Sequence, residues 1–169
     1  MNVLLGISGS VAAKLHRKIV DALQSNGHVI EVVVTKSAEH FIGDHFYYTD
    51  EDEWERYEKD SKVLHIELTK WADVLVLAPC TANTLAKISN GVCDNLLTSC
   101  VRAWDINKKI VVAPAMNTQM WNSHFTIVHK STFVNTTGAV FVDPQYKVLY
   151  CGDEGIGAMA DIDDIIKEV

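Results

Sequence analysis

Apolar residues occur along this chain in two rhythms. Short, near-continuous apolar runs predict strands covered on both faces, and stretches where apolar residues return every third or fourth position predict amphipathic helices. The runs are residues 2 to 8 (NVLLGIS), 29 to 35 (VIEVVVT), 73 to 79 (DVLVLAP), 110 to 113 (IVVA) and 138 to 142 (GAVFV). Between them, helical spacing joins Val11, Leu15, Ile19, Val20 and Leu23; then Leu64, Leu68 and Trp71; then Leu97, Val101 and Trp104. Further helices are expected at 85 to 89, 123 to 133 and 161 to 169. Ser10, Thr81 or Asn83, Asp94 and Asp161 are the starts, while Gly27 and Asn90-Gly91 are the stops. Strand–helix alternation without a hairpin signal predicts an α/β fold: a single doubly wound, mostly parallel sheet with helices on both faces, a three-layer sandwich.

Two stretches break the rhythm. Residues 43 to 62 are polar and irregular, with an acidic run Asp50-Glu51-Asp52-Glu53. Consecutive carboxylates do not converge on a cation, so the run is read as a solvated loop and helix face, with Trp54 and Tyr57 as anchors packed on the body. Residues 145 to 160 (QYKVLYCGDEGIGAMA) hold three glycines around Asp153 and Glu154, the pattern of a mobile or sharply turned flap. A flap carrying one cysteine, Cys151, points to a chemical role, because free cysteine is usually buried.

Composition narrows the class. The length of 169 residues suits one domain, with 48% hydrophobic and 22% charged residues. A net charge of −7 argues against a nucleic-acid surface. No run is long enough to span a membrane, and the start reads as a strand and not as a signal peptide. Four cysteines without CxxC spacing are expected as free thiols in a reducing cytoplasm, with Cys93 and Cys100 as small core residues. No metal site is expected.

The chemistry gathers at strand ends. Gly9-Ser10-Val11, Thr35-Lys36-Ser37 and Thr81-Ala82-Asn83-Thr84 each follow a strand and open a helix. Each one alone reads equally well as a capped turn. Together they describe a pocket for a phosphorylated, hydroxyl-rich ligand, since helix starts offer unpaired N–H groups and a positive dipole end. The stretch Ile110 to Trp121 (IVVAPAMNTQMW) ends its strand at Pro114-Ala115, where ligands bind in an open α/β sheet.

Six ordered motifs carry a specific resemblance: Gly9-Ser10-Val11-Ala12-Ala13, Val63-Leu64-His65-Ile66-Glu67-Leu68, Thr81-Ala82-Asn83-Thr84-Leu85, Cys93-Asp94-Asn95-Leu96-Leu97-Thr98, Pro114-Ala115-Met116-Asn117 through Met120-Trp121, and Cys151-Gly152-Asp153-Glu154-Gly155. Nearly the whole chain resembles the phosphopantothenoylcysteine decarboxylases of the flavin-containing cysteine decarboxylase family.

The resemblance implies a flavodoxin- or Rossmann-like fold and FMN bound at the subunit contacts of a homotrimer. Gly9, Ser10, Val11, Thr35, Lys36, Ser37, Thr81, Ala82, Asn83, Thr84 and Ala115 would line the FMN site. The implied reaction is oxidative decarboxylation of 4′-phosphopantothenoylcysteine, then reduction of the enethiol to 4′-phosphopantetheine in coenzyme A biosynthesis. Taking hydride from the carbon bearing sulfur creates a thioaldehyde, an electron sink that lets CO₂ leave. By resemblance His65 is the base, Asn117 holds the substrate carboxylate, Met120 packs beside the substrate and Cys151 donates the last proton. Lys147 is a candidate for the substrate phosphate. Two rival readings are a non-catalytic relative regulating a protein phosphatase and a peptidyl-cysteine decarboxylase. His65, Asn117 and Cys151 together favour the first reading over the former, and the Cys151 segment favours it over the latter.

Overall fold

Each predicted strand forms, and the alternation of side chains explains why the runs are apolar throughout. In the computed structural model, which describes residues 1–43, 47–148, 152 and 154–169, β1 (Asn2–Ile7), β2 (Val29–Val34), β3 (Val74–Cys80), β4 (Lys109–Pro114) and β5 (Val140–Phe141) build one parallel sheet. Their spatial order is β2-β1-β3-β4-β5. In-register pairs include Leu5 with Val32 and Leu4 with Leu75. Val3, Leu5 and Ile7 point to one face with Val74, Val76, Val111 and Ala113. Leu4 points to the other with Leu75, Leu77, Ile110 and Val112. Both sets are buried, so the inner positions of β1, β3 and β4 are apolar throughout, while the edge strand β2 is partly exposed and carries Glu31.

Helices cover both faces. A 3-10 helix at Val11–Leu15 leads into α1 (His16–Ser25), which places Ile19 and Leu23 on the first face. There α8 (Ile162–Lys167) joins it through Ile165. The second face takes α3 (Leu64–Trp71), α4 (Ala82–Ser89), α5 (Leu96–Arg102) and α7 (His124–Thr137) through Leu64, Leu85, Leu97 and Phe133. The short α6 (Thr118–Trp121) follows β4. The starts are as expected at Ser10, Thr81 and Asp161, whereas α5 begins one residue later than predicted, with Asn95 accepting from the Thr98 amide at 2.9 Å.

Two regions differ from the sequence reading. The glycine-rich flap is a two-stranded antiparallel ribbon, β6 (Gln145–Val148) with β7 (Glu154–Ala158), beside the parallel sheet. The acidic stretch is a full helix, α2 (Asp50–Asp60), started by a Thr49–Asp52 capping box. Trp54 and Tyr57 are not packed anchors. They are 67% and 54% exposed. The helix turns its polar side inward instead: Asp50 accepts from the Leu96 amide at 2.7 Å, Glu53 meets His65, and Arg56 pairs with Glu67 at 2.9 Å. Cys93 is also exposed, not core, while Cys80 and Cys100 are buried.

Candidate active site

The strand order 2-1-3-4-5 reverses its direction of growth between β1 and β3, and an open sheet of this kind binds ligands outside the carboxyl ends of its strands at that point. Here it is fastened by Ser8, which is 1% exposed. Its hydroxyl donates to the Pro79 carbonyl and accepts from the Thr81 amide, both at 2.9 Å. That fixes Thr81, whose hydroxyl caps α4 by accepting from the Thr84 amide at 3.2 Å. On the other side the Gly9 backbone lies against Ser37: a Cβ on Gly9 would sit 2.3 Å from the Ser37 hydroxyl, so any larger residue would push the β1 and β2 ends apart. Ser37 in turn lies 3.3 Å from the Thr35 hydroxyl. The three predicted strand ends are thus one assembly, but Thr35-Lys36-Ser37 runs into a turn and does not open the expected helix, the next described helix after β2 being α2 at Asp50.

Two depressions open beside it. A largely apolar cleft of about 530 Å³ is lined by Ser10, Val11, Leu15, Ala115, Met116, Asn117, Lys147 and Met159, among others. A polar hollow of about 340 Å³ is lined by Thr35, Lys36, Ser37, His40, Asn83, Thr84, Lys87 and neighbours. Clefts of roughly 300–1,000 Å³ are the usual size for cofactors and small substrates.

The cleft wall depends on the ribbon. The Met116 amide donates to the Gly157 carbonyl at 3.0 Å, and a Cβ at Gly157 would lie 2.1 Å from the Met116 carbonyl oxygen. Asn117 caps α6, its side-chain oxygen accepting from the Gln119 amide at 2.8 Å. The cap uses one acceptor position of the amide oxygen. Lys147, on β6, reaches the cleft and pairs with Asp161 at 3.2 Å. Hydrogen bonds from Gln145 and then Lys147 hold the Asp161 carboxyl below its ordinary range. Lys36 contacts Glu39 at 3.2 Å and Glu51 at 3.3 Å, and those bonds hold its ammonium above the usual lysine range.

The remaining predicted residues lie elsewhere. Met120 is 48% exposed and His65 is half-buried; neither is among the lining residues of the cleft or the hollow. His65 stands at the start of α3 with Nδ1 2.8 Å from Glu53 Oε1. Ala82 opens α4 beside Thr81. Cys151 lies outside the described residues. Among the described residues no cluster of His, Cys, Asp or Glu suits a metal ion, and no helix is long and apolar enough to cross a membrane. Sequence reasoning missed Ser8 and Glu53. The Thr49-x-x-Asp52 capping signature was the available signal for the start of α2.

The flavoprotein family profile, described as "Flavoprotein", matches residues 1–169. A phosphopantothenoylcysteine decarboxylase of Oryza sativa is 51% identical over 166 residues, covering 94% of this chain and 74% of that one. This chain belongs to the flavoprotein family, among its phosphopantothenoylcysteine decarboxylases. Two solved structures agree. A PPC decarboxylase mutant complexed with pantothenoylaminoethenethiol superposes with a TM-score of 0.92 at 47% identity, covering 98% of this chain and 94% of that chain. The FMN binding protein AtHal3 gives 0.88 at 47% identity, covering 98% and 92%.

The flavoprotein site fits a flavin on this chain's own chemistry. A flat tricyclic ring needs an apolar slot, which Val11, Leu15, Ala115, Met116 and Met159 supply. Phosphate and ribityl hydroxyls need hydroxyls, amides and cations, which Ser10, Asn83 and Thr84 at helix starts, Thr35 and Ser37 at the β2 end, and Lys36 and Lys87 supply.

Proposed function

We propose that this protein is an FMN-dependent phosphopantothenoylcysteine decarboxylase that carries its substrate through to 4′-phosphopantetheine for coenzyme A biosynthesis, in the cytoplasm. The observation that carries this reading is the placement of Asn117 and Lys147 on the same apolar cleft as Ser10 and Ala115 at the β1/β3 switch. FMN, when bound, supplies reversible hydride acceptance, which turns a plain carboxylate into a leaving group. Asn117 donates its amide N–H to the substrate carboxylate. Lys147 exchanges Asp161 for the substrate phosphate. His65 accepts a proton through Nε2, and Cys151 returns one to the enethiol carbon. Cys80 and Cys100 take no part, because burial pushes Cys80 up to about 12 and raises Cys100 as well.

A homotrimer completes the reading. The cleft draws on residues packed with the first sheet face, such as Ala12, Ala115 and Met159, whereas Leu64 and Leu68, the neighbours of His65, pack on the second. Within one chain His65 therefore does not line the cleft that holds the carboxylate-binding amide. A head-to-tail ring brings the second face of one copy to the cleft of the next. Exposed Trp54 and Tyr57, on the helix beside His65, supply apolar surface for that contact.

The test is direct. Purified protein is expected to be yellow and to release CO₂ from phosphopantothenoylcysteine. Cys151→Ser should release CO₂ and accumulate the oxidised enethiol, and His65→Asn should release none. A colourless protein that cannot be loaded with FMN, or full pantetheine phosphate formation by Cys151→Ser, would overturn it.

A further inference from the structure

His65 and Glu53 make a two-point contact that the reaction scheme does not use. Glu53 Oε1 lies 2.8 Å from His65 Nδ1, and Glu53 Oε2 accepts from the His65 backbone amide at 3.0 Å. Both side chains are mostly shielded, with 16% exposure for Glu53 and 26% for His65. Val63, the residue that should cap α3, has no side-chain hydrogen bond to give. The carboxylate therefore comes from α2, across the α2–α3 turn.

From this geometry we infer that Glu53 is the positioning residue of the catalytic base: its bidentate contact fixes the His65 tautomer and aims Nε2 at the substrate. The inference rests on His65 being the base, as proposed above. An ionised carboxylate only accepts hydrogen bonds, so the nitrogen facing it carries the proton. In the neutral ring the lone pair is then on Nε2, the nitrogen on the far side from Glu53. The second oxygen, held by the backbone amide, stops the carboxylate from swinging and so fixes the ring's direction as well as its proton.

Glu53→Gln separates this role from mere packing, because the side chain keeps its size. Glutamine has one acceptor oxygen. The His65 backbone N–H is a permanent donor and claims that oxygen, which turns the NH₂ group to Nδ1. A donor facing Nδ1 forces the ring proton onto Nε2, and the base then points its N–H at the substrate. The analogous exchange in a Ser-His-Asp triad lowers turnover by about 10⁴ through the wrong tautomer.

The experiment uses FMN-loaded protein labelled with ¹⁵N at histidine. Wild type is expected to show His65 with a protonated Nδ1 and an unprotonated Nε2, and Glu53→Gln to show the reverse. The variant should retain FMN and its melting temperature while kcat for CO₂ release falls about 10²–10⁴-fold and KM changes little. Wild-type turnover in Glu53→Gln, or a fall in turnover with Nδ1 still protonated, overturns the inference. His65→Asn is run alongside. If it still decarboxylates, His65 is not the base and the parent reading of that residue fails. If it is dead while Glu53→Gln is fully active, only the positioning role fails.

Discussion

The β6–β7 ribbon bears two glycines that meet the Met116–Thr118 stretch in different ways, and the difference can be measured. A Cβ at Gly155 would sit 2.3 Å from the Thr118 hydroxyl, 3.1 Å from its methyl and 3.2 Å from its Cβ. All three are side-chain atoms. Gly155→Ala should therefore destabilise by about 1–3 kcal/mol through overpacking. Thr118→Ala removes the two nearest atoms. Its hydroxyl is buried with no hydrogen-bond partner among the described residues, so losing it relieves a desolvation penalty of about 1–3 kcal/mol. The lost methyl offsets about 1 kcal/mol of that gain. The double variant should accordingly recover most of the stability lost in Gly155→Ala, with a coupling of about 1–2 kcal/mol. Gly157 is the control without a remedy. Its Cβ would meet the Met116 carbonyl oxygen at 2.1 Å, at φ +154, and no side-chain change moves a carbonyl. Gly157→Ala must lift the ribbon, losing the Met116–Gly157 bond at about 0.5–1.5 kcal/mol, or hold a strained backbone at about 1–3 kcal/mol. Urea unfolding gives the Gly155 cycle. Hydrogen exchange at the Met116 amide, with KM for the substrate, reads out Gly157. An additive Gly155–Thr118 cycle would refute the packing argument, and unchanged Met116 exchange together with unchanged stability in Gly157→Ala would refute the anchoring role of the ribbon.

Two further outcomes are expected. In a Cys151→Ser background three thiols remain, and a thiol reagent at pH 8 should modify Cys93 quickly and spare Cys80 and Cys100 in the native state. A thiol held near 12 is about 10⁻⁴ thiolate at that pH, so prompt labelling of two thiols would contradict the burial. In the proposed ring, mixing inactive His65→Asn with inactive Asn117→Ala in equal amounts, through unfolding and refolding, should restore activity in about a quarter of the sites, half times half. No restored activity would mean that each site is made by one chain.

Much of the fold could be read along the chain because its parallel strands are covered twice. NVLLGI and VLVLAP need no alternation, and the runs gave the strands to within a residue or two at most ends. Cap residues gave the helix starts for the same local reason. The ribbon was not legible. QYKV alternates over only four residues and EGIGA is interrupted by two glycines, and those glycines answer to Met116 and Thr118, not to their own pairing. Trp54 and Tyr57 misled for a related reason: their size suggests burial, but the orientation of α2 is set by Asp50, Glu53 and Arg56 reaching into other elements.

The site divides along the same line. Hydroxyls at strand ends are local features, and Ser10 and Thr81 were found because each caps the helix that follows it, whereas Asn117 came from the motif resemblance and only the structure shows it as the cap of α6. What holds these ends in place is not local. Ser8 joins Thr81 across 73 residues, and Gly157 receives the Met116 amide from the far side of α7. Glu53 and His65 are only 12 residues apart, yet the pair was hidden within a run of four acids that looks uniform until a helix gives it an inside and an outside. Of those four, Asp50 and Glu53 meet other elements, the Leu96 amide and His65, once α2 has formed behind its Thr49 cap.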